Sequence, residues 1–134
     1  MAEKDAYCFA CGKGNPVGLK LDFSMQEGKC VARKEMPREY QGYDGIVHGG
    51  ILTTMLDEAM AKCLILSGGE RAVTAKLEVR YRHPAPVGDA LTVSGWEESR
   101  RGHFVHMKAA VLLSNGTVAA EGTAQMSLVE DTAE

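Results

Sequence analysis

The chain has 134 residues, 45% of them hydrophobic and 25% charged, with a formal net charge of −3. That length favours one domain, 1–134, and the charge gives no ground for nucleic acid or an anionic membrane surface as a partner. No apolar run approaches the roughly 20 residues of a membrane span, and Met1-Ala2-Glu3-Lys4-Asp5 lacks the apolar core of a signal peptide, so the expected address is cytoplasmic.

Residues 1–16 read as an irregular lead-in ending at Asn15-Pro16. Gly18–Met25 alternates apolar and polar residues, the pattern of a half-buried strand. Glu27-Gly28 marks a tight turn, and Cys30–Met36 is a second strand that Pro37 stops. Residues 37–47 form a loop carrying Tyr40, Gln41, Gly42, Tyr43, Asp44 and Gly45. A helix is predicted from Gly49 to Leu66. Its apolar positions Ile51, Leu52, Met55, Leu56, Ala59, Met60, Cys63 and Leu64 recur every three or four residues as one stripe. Ser67-Gly68-Gly69 ends it.

The remainder reads as sheet. Val73–Arg82 alternates with period two, and His83-Pro84-Ala85-Pro86-Val87-Gly88-Asp89 is a rigid connection. Leu91–Trp96 is a strand, and Arg100-Arg101-Gly102 turns into Phe104–Leu113. Asn115-Gly116 is a strong hairpin signal leading into Val118–Leu128. The acidic tail 130–134 is expected to fray. One amphipathic helix with six strands points to an α+β layer in which the sheet wraps the helix.

Chemistry concentrates at the helix start. His48-Gly49-Gly50 opens it, and Asp57 and Glu58 sit in its middle. Glycines let a ligand approach backbone N–H groups at the positive end of the helix dipole. Donors for a developing oxyanion plus a carboxylate are the parts of a hydrolytic acyl-transfer site. Read alone, Asp57 also fits a solvated or salt-bridged position. Glu58 lies about 100° round the helix from it and is placed to pair with Lys62 at i+4. His48 either orients the loop or polarises a carbonyl, or it simply closes onto the backbone. No Asp-His-nucleophile arrangement for a Ser or Cys triad is present.

The four cysteines read as reduced thiols. Cys63 belongs to the helical stripe, and Cys30 opens a strand. Cys8 and Cys11 lack the strand-to-helix setting of a redox motif and supply only half of a zinc site. The preferred reading is a hydrophobic lead-in packed through Phe9, with no metal.

This order of elements, with His48-Gly49-Gly50 at the helix start, resembles the hotdog-fold thioesterase superfamily. The similarity is greatest to the phenylacetate-pathway-type acyl-CoA thioesterases. Asn15-Pro16-Val17-Gly18-Leu19, Tyr40–Gly50 and His83–Asp89 carry it, together with the acid nine residues after the histidine. The resemblance implies a six-stranded antiparallel sheet wrapped around one long central helix. It also implies homodimers with a continuous sheet, often paired into homotetramers, whose sites lie at the subunit interface.

It further implies that Asp57 is the base or nucleophile, that the Gly49 N–H polarises the thioester carbonyl, and that Thr74 holds water. Where relatives carry Asn or Gln six residues before the histidine, this chain has Gly42, with Gln41 one residue earlier. On this reading Gly50 and Gln41 touch an acyl-CoA substrate, and Arg82, Arg100 and Arg101 are candidates for the phosphates of coenzyme A. No metal or organic cofactor is needed. The acyl group, and the choice between general base and mixed anhydride, stay open. Rival readings on the same fold are a non-hydrolytic acyl-CoA-binding module and a hydratase or dehydratase.

Overall fold

A computed structural model describes residues 5–130; most of the tail assigned to 130–134 lies outside these. The alternating segments become strands β1 (Ser24–Gln26), β2 (Lys29–Glu35), β3 (Arg71–Tyr81), β4 (Ala90–Arg101), β5 (Phe104–Leu112) and β6 (Val118–Val129). The striped segment becomes helix α1 (Gly49–Gly68), preceded by a 3-10 turn, Arg38–Tyr40. All strand pairs are antiparallel, in the order β1-β2-β4-β5-β6-β3.

One face of this sheet holds the core. On β5 the residues Val105, Met107, Ala109 and Val111 are buried, and on β6 Ala120, Gly122, Ala124 and Met126, every second position, as the strand period dictates. Against them α1 lays Leu52, Met55, Leu56, Ala59, Met60, Cys63 and Leu64. Each large apolar side chain buried this way contributes on the order of 1.5–3 kcal/mol. Helix and sheet come closest at Gly95, where a β-carbon would sit 2.6 Å from the Ala59 carbonyl oxygen. The C-terminus of α1 closes on Gly69, in the left-handed region at φ 70°, which donates its N–H to Ile65 O.

Two expectations need correction. The first strand is confined to Ser24–Gln26 rather than Gly18–Met25. The N–H groups of Leu19 and Leu21 go to the carbonyls of Phe9 and Ala10, at 2.8 and 2.9 Å, so residues 19–21 pair with the lead-in instead of the sheet. Lys20, with φ 55°, interrupts the extension. The β4–β5 turn falls at Gly102-His103, not Arg100-Arg101-Gly102, because β5 offers partners out to Arg101. Gly102 supplies the positive φ of 63° that the turn requires.

The two sheet edges differ. β1 is three residues long, whereas β3 is eleven and among the described residues pairs only with β6, leaving its other edge open there. On the sheet's outer face Trp96 lies beside Arg80, Arg82 and Lys108 in a shallow depression. The Lys29 ammonium sits 4.3 Å from the centre of the Trp96 ring, a cation–π contact.

Gly95→Ala forces the helix backbone away from β4. Overpacking against backbone of this kind costs about 1–3 kcal/mol, so the urea unfolding midpoint should fall accordingly. An unchanged midpoint would mean that the close helix–strand approach is not required.

Candidate active site

His48, in extended backbone at φ −59°, ψ 136°, caps α1. Its Nδ1 accepts the Gly50 N–H at 2.9 Å, which leaves the ring proton on Nε2. The Gly50 N–H is thereby occupied. Among the described residues the Gly49 N–H has no acceptor, as expected of a first-turn donor. It is the donor at this helix end that remains available to a ligand.

Tyr81, the last residue of β3, packs its ring against Gly49; a β-carbon there would lie 3.3 Å from the ring. The Tyr81 hydroxyl donates to Gly49 O at 3.1 Å and lies 2.5 Å from Thr53 Oγ1. Sequence reasoning missed Tyr81. Its position just before the His83-Pro84 connection was the available signal.

Two segments named by their motifs converge here. Val47 N–H bonds Ala85 O, Val87 N–H bonds Gly45 O, and His48 N–H bonds Tyr40 O. Between the loops and the helix start lies a cavity of about 770 Å³, lined by Gln41, Gly42, Tyr43, Ile46, His48, Gly49, Leu52, Tyr81, Arg82 and His83 among others. Gln41 Oε1 is committed to the Gly45 N–H at 3.1 Å, leaving its amide –NH2 as the group that faces a ligand. At Gly42 a β-carbon would lie 3.2 Å from the His48 Cα, so glycine lets the loop close onto the histidine.

Asp57 lies outside this cavity. It is half-buried, and its Oδ1 accepts the Thr74 hydroxyl at 2.7 Å. A register shift between Thr74 and Lys76 leaves Ala75 unpaired with β6; bulges of this kind re-aim neighbouring side chains. Asp57 and Gly49 are eight residues apart on one helix, a rise of about 12 Å. Within one chain the carboxylate and the N–H donor therefore do not meet.

The three arginines do not gather. Arg82 pairs with Glu121 at one end of the sheet. Arg100 pairs with Glu70 and Glu97, at 2.8 and 2.9 Å, at the other end, with Arg101 exposed beside it. The register aligns Arg101 with Phe104, Ser127 and Val73, so strand rise separates the two ends by roughly 25–30 Å. Only Arg82 lines the cavity. Cys30 and Cys63 are buried in the core, and burial pushes the Cys30 thiol up to about 12 and raises that of Cys63, the setting of an inert rather than an activated thiol.

A family profile described as "Thioesterase superfamily" matches residues 44–120, and the chain belongs to that superfamily. Among curated proteins it is similar to the acyl-coenzyme A thioesterase THEM4 of Mus musculus, 29% identical over 112 residues, 80% of this chain and 48% of the relative. The chain thus spans about half the length of that protein. Among solved structures, the PaaI protein from the phenylacetic acid degradation operon of E. coli aligns with a TM-score of 0.75 at 22% identity, covering 81% of this chain and 83% of that one. The protein smu.793 of Streptococcus mutans, bound to acetyl CoA, gives 0.75 at 22%, covering 84% and 91%. The architecture is the hotdog fold. No helix among the described residues is long and apolar enough to cross a membrane.

The hydrogen bonds from Arg100 hold the Glu70 carboxyl below its ordinary value of 4.5. A lowered folded value means stabilisation that is present above the ordinary one and fades as pH falls through the lowered one. Glu70→Gln should therefore narrow the stability gap to the native protein as pH drops through that window, read by urea unfolding at stepped pH. A gap independent of pH would contradict the assignment.

Proposed function

We propose that the chain hydrolyses acyl-CoA thioesters to a free carboxylic acid and coenzyme A, acting as a homodimer or as a homotetramer of two such pairs. The observation that carries this reading is the hydrogen bond from Thr74 on β3 to Asp57 on α1, the helix whose first N–H, at Gly49, has no acceptor among the described residues. The donor opens onto a cavity large enough for an acyl chain. The similarity to a mouse acyl-coenzyme A thioesterase supplies the substrate class.

The separation of about 12 Å between donor and acid calls for a second subunit. A two-fold axis that runs two helices antiparallel sets Gly49 of one chain opposite the partner subunit's Asp57. The open edge of β3, with Val73 and Tyr81 exposed on it, is the kind of edge that a second copy covers.

In such a site the thioester oxygen accepts from the Gly49 N–H, backed by the helix dipole. Thr74 donates its hydroxyl hydrogen bond to Asp57, so its oxygen is left to accept from a water. The free Asp57 oxygen then takes the proton as water adds to the carbonyl carbon and the thiolate departs. In the other route Asp57 attacks directly, the thiolate leaves, and water cleaves the mixed anhydride. Both routes balance without a metal or organic cofactor. His48 positions the donor by capping the helix. Gln41 and Arg82 are the polar wall of the acyl-CoA site.

One observation favours the non-hydrolytic binding module: the cavity is formed by one chain while the acid stands outside it. Thiol release from a panel of acyl-CoAs, run for native protein and Asp57→Asn, separates the two. Loss of a general base costs about 100- to 10,000-fold in turnover, and that loss is expected in a variant with native circular dichroism and native sedimentation. Tight acyl-CoA binding without native turnover would establish the binding module instead.

A further inference from the structure

We propose that Cys8, Cys11 and Glu58 bind a divalent cation of the zinc class, which clasps the lead-in to the middle of α1. The two Sγ atoms and a Glu58 carboxylate oxygen all lie within 4.8 Å of one another, and all three residues are half-buried. In a tetrahedral zinc site sulfurs about 2.3 Å from the metal stand about 3.8 Å apart, a spacing compatible with ligand atoms that lie within 4.8 Å of one another. Two thiolates and one carboxylate suit a borderline-soft ion and not calcium or magnesium, which take oxygen ligands. Water completes the fourth position.

The backbone presents both thiols to one point. Gly12 N–H bonds Cys8 O at 2.9 Å, Cys8 N–H bonds Asp5 O at 3.1 Å, and Gly14 N–H bonds Ala6 O at 2.8 Å. Gly12 has no room for a β-carbon, which would sit 2.4 Å from Ala6 O and Cys8 N. Asn15, buried behind the turn, bonds Tyr7 O and Val17 N–H at 3.2 and 3.0 Å.

Two sequence expectations fail at this place, and both failures favour the ion. Phe9 is 41% exposed, so it does not anchor the lead-in; Ala10 is the buried residue. Glu58 makes no ion pair with Lys62 and faces the cysteines instead. Charge balances as well. Two thiolates and Glu58 carry three negative charges, a divalent ion removes two, and Lys62 lines the same cavity of about 190 Å³, whose other charged residues, Asp5 and Arg71, pair with each other.

Binding must expel protons, so affinity rises with pH. The clasp would fix the helix one residue beyond Asp57.

The test uses the full chain, reduced and stripped with a chelator, titrated with Co2+ as the probe and then with Zn2+. The expected result is an equimolar complex with thiolate-to-cobalt charge-transfer absorption that Zn2+ displaces, weaker at about pH 6 than at pH 8. The double variant Cys8→Ser, Cys11→Ser should abolish the band. Glu58→Gln, a change on the helix that leaves the turn intact, should weaken binding at least tenfold. Absence of the band, or a band that survives both variants, would overturn the proposal. So would loss of two hydrogens by intact mass in air without metal uptake, which would make the pair a disulfide. None of these readouts depends on thioester turnover.

Discussion

The rest of the structure depends on how closely α1 approaches the sheet. Gly95 removes the β-carbon that would strike the Ala59 carbonyl. With the helix seated this deep, the sheet's alternate residues can surround its apolar stripe. The same seating fixes where the helix begins, between the loops around residues 41–48 and 83–87, and which way Asp57 faces. The site is a by-product of a packing distance.

Most of this architecture was legible because periodicity is a local property. The stripe from Leu52 to Leu64 and the alternation on β5 and β6 are set by which face must be dry. The Asn115-Gly116 turn, with Gly116 at φ 90°, follows from backbone freedom that glycine alone offers. The first strand was misplaced because residues 19–21 alternate as a strand does but bond the lead-in, a choice made by tertiary competition for their N–H groups. Arg82 and Arg100 were both candidates for the phosphates of coenzyme A. Strand register, invisible to composition, sends them to opposite ends.

The site was legible in the same uneven way. Asp57 and Thr74 are 17 residues apart in sequence, yet one hydrogen bond joins them, and no local pattern announces it. The bulge that leaves Ala75 unpaired is equally silent until β3 is laid on β6. His48 was ambiguous as a sequence feature between orienting the loop, polarising a carbonyl and closing onto the backbone; in the structure its Nδ1 accepts the Gly50 N–H. That bond uses the Gly50 N–H and spares that of Gly49.

The outer face of the sheet carries a practical consequence. Trp96 is the one tryptophan of the chain, and it sits under the Lys29 ammonium on the side of the sheet opposite the helix. Its fluorescence is therefore an internal gauge of whether β2 and β4 remain zipped. The cavity at the helix start is edged by tyrosines, Tyr43 and Tyr81, and holds no indole. The molecule thus carries an optical label for the integrity of the sheet that is separate from the cavity.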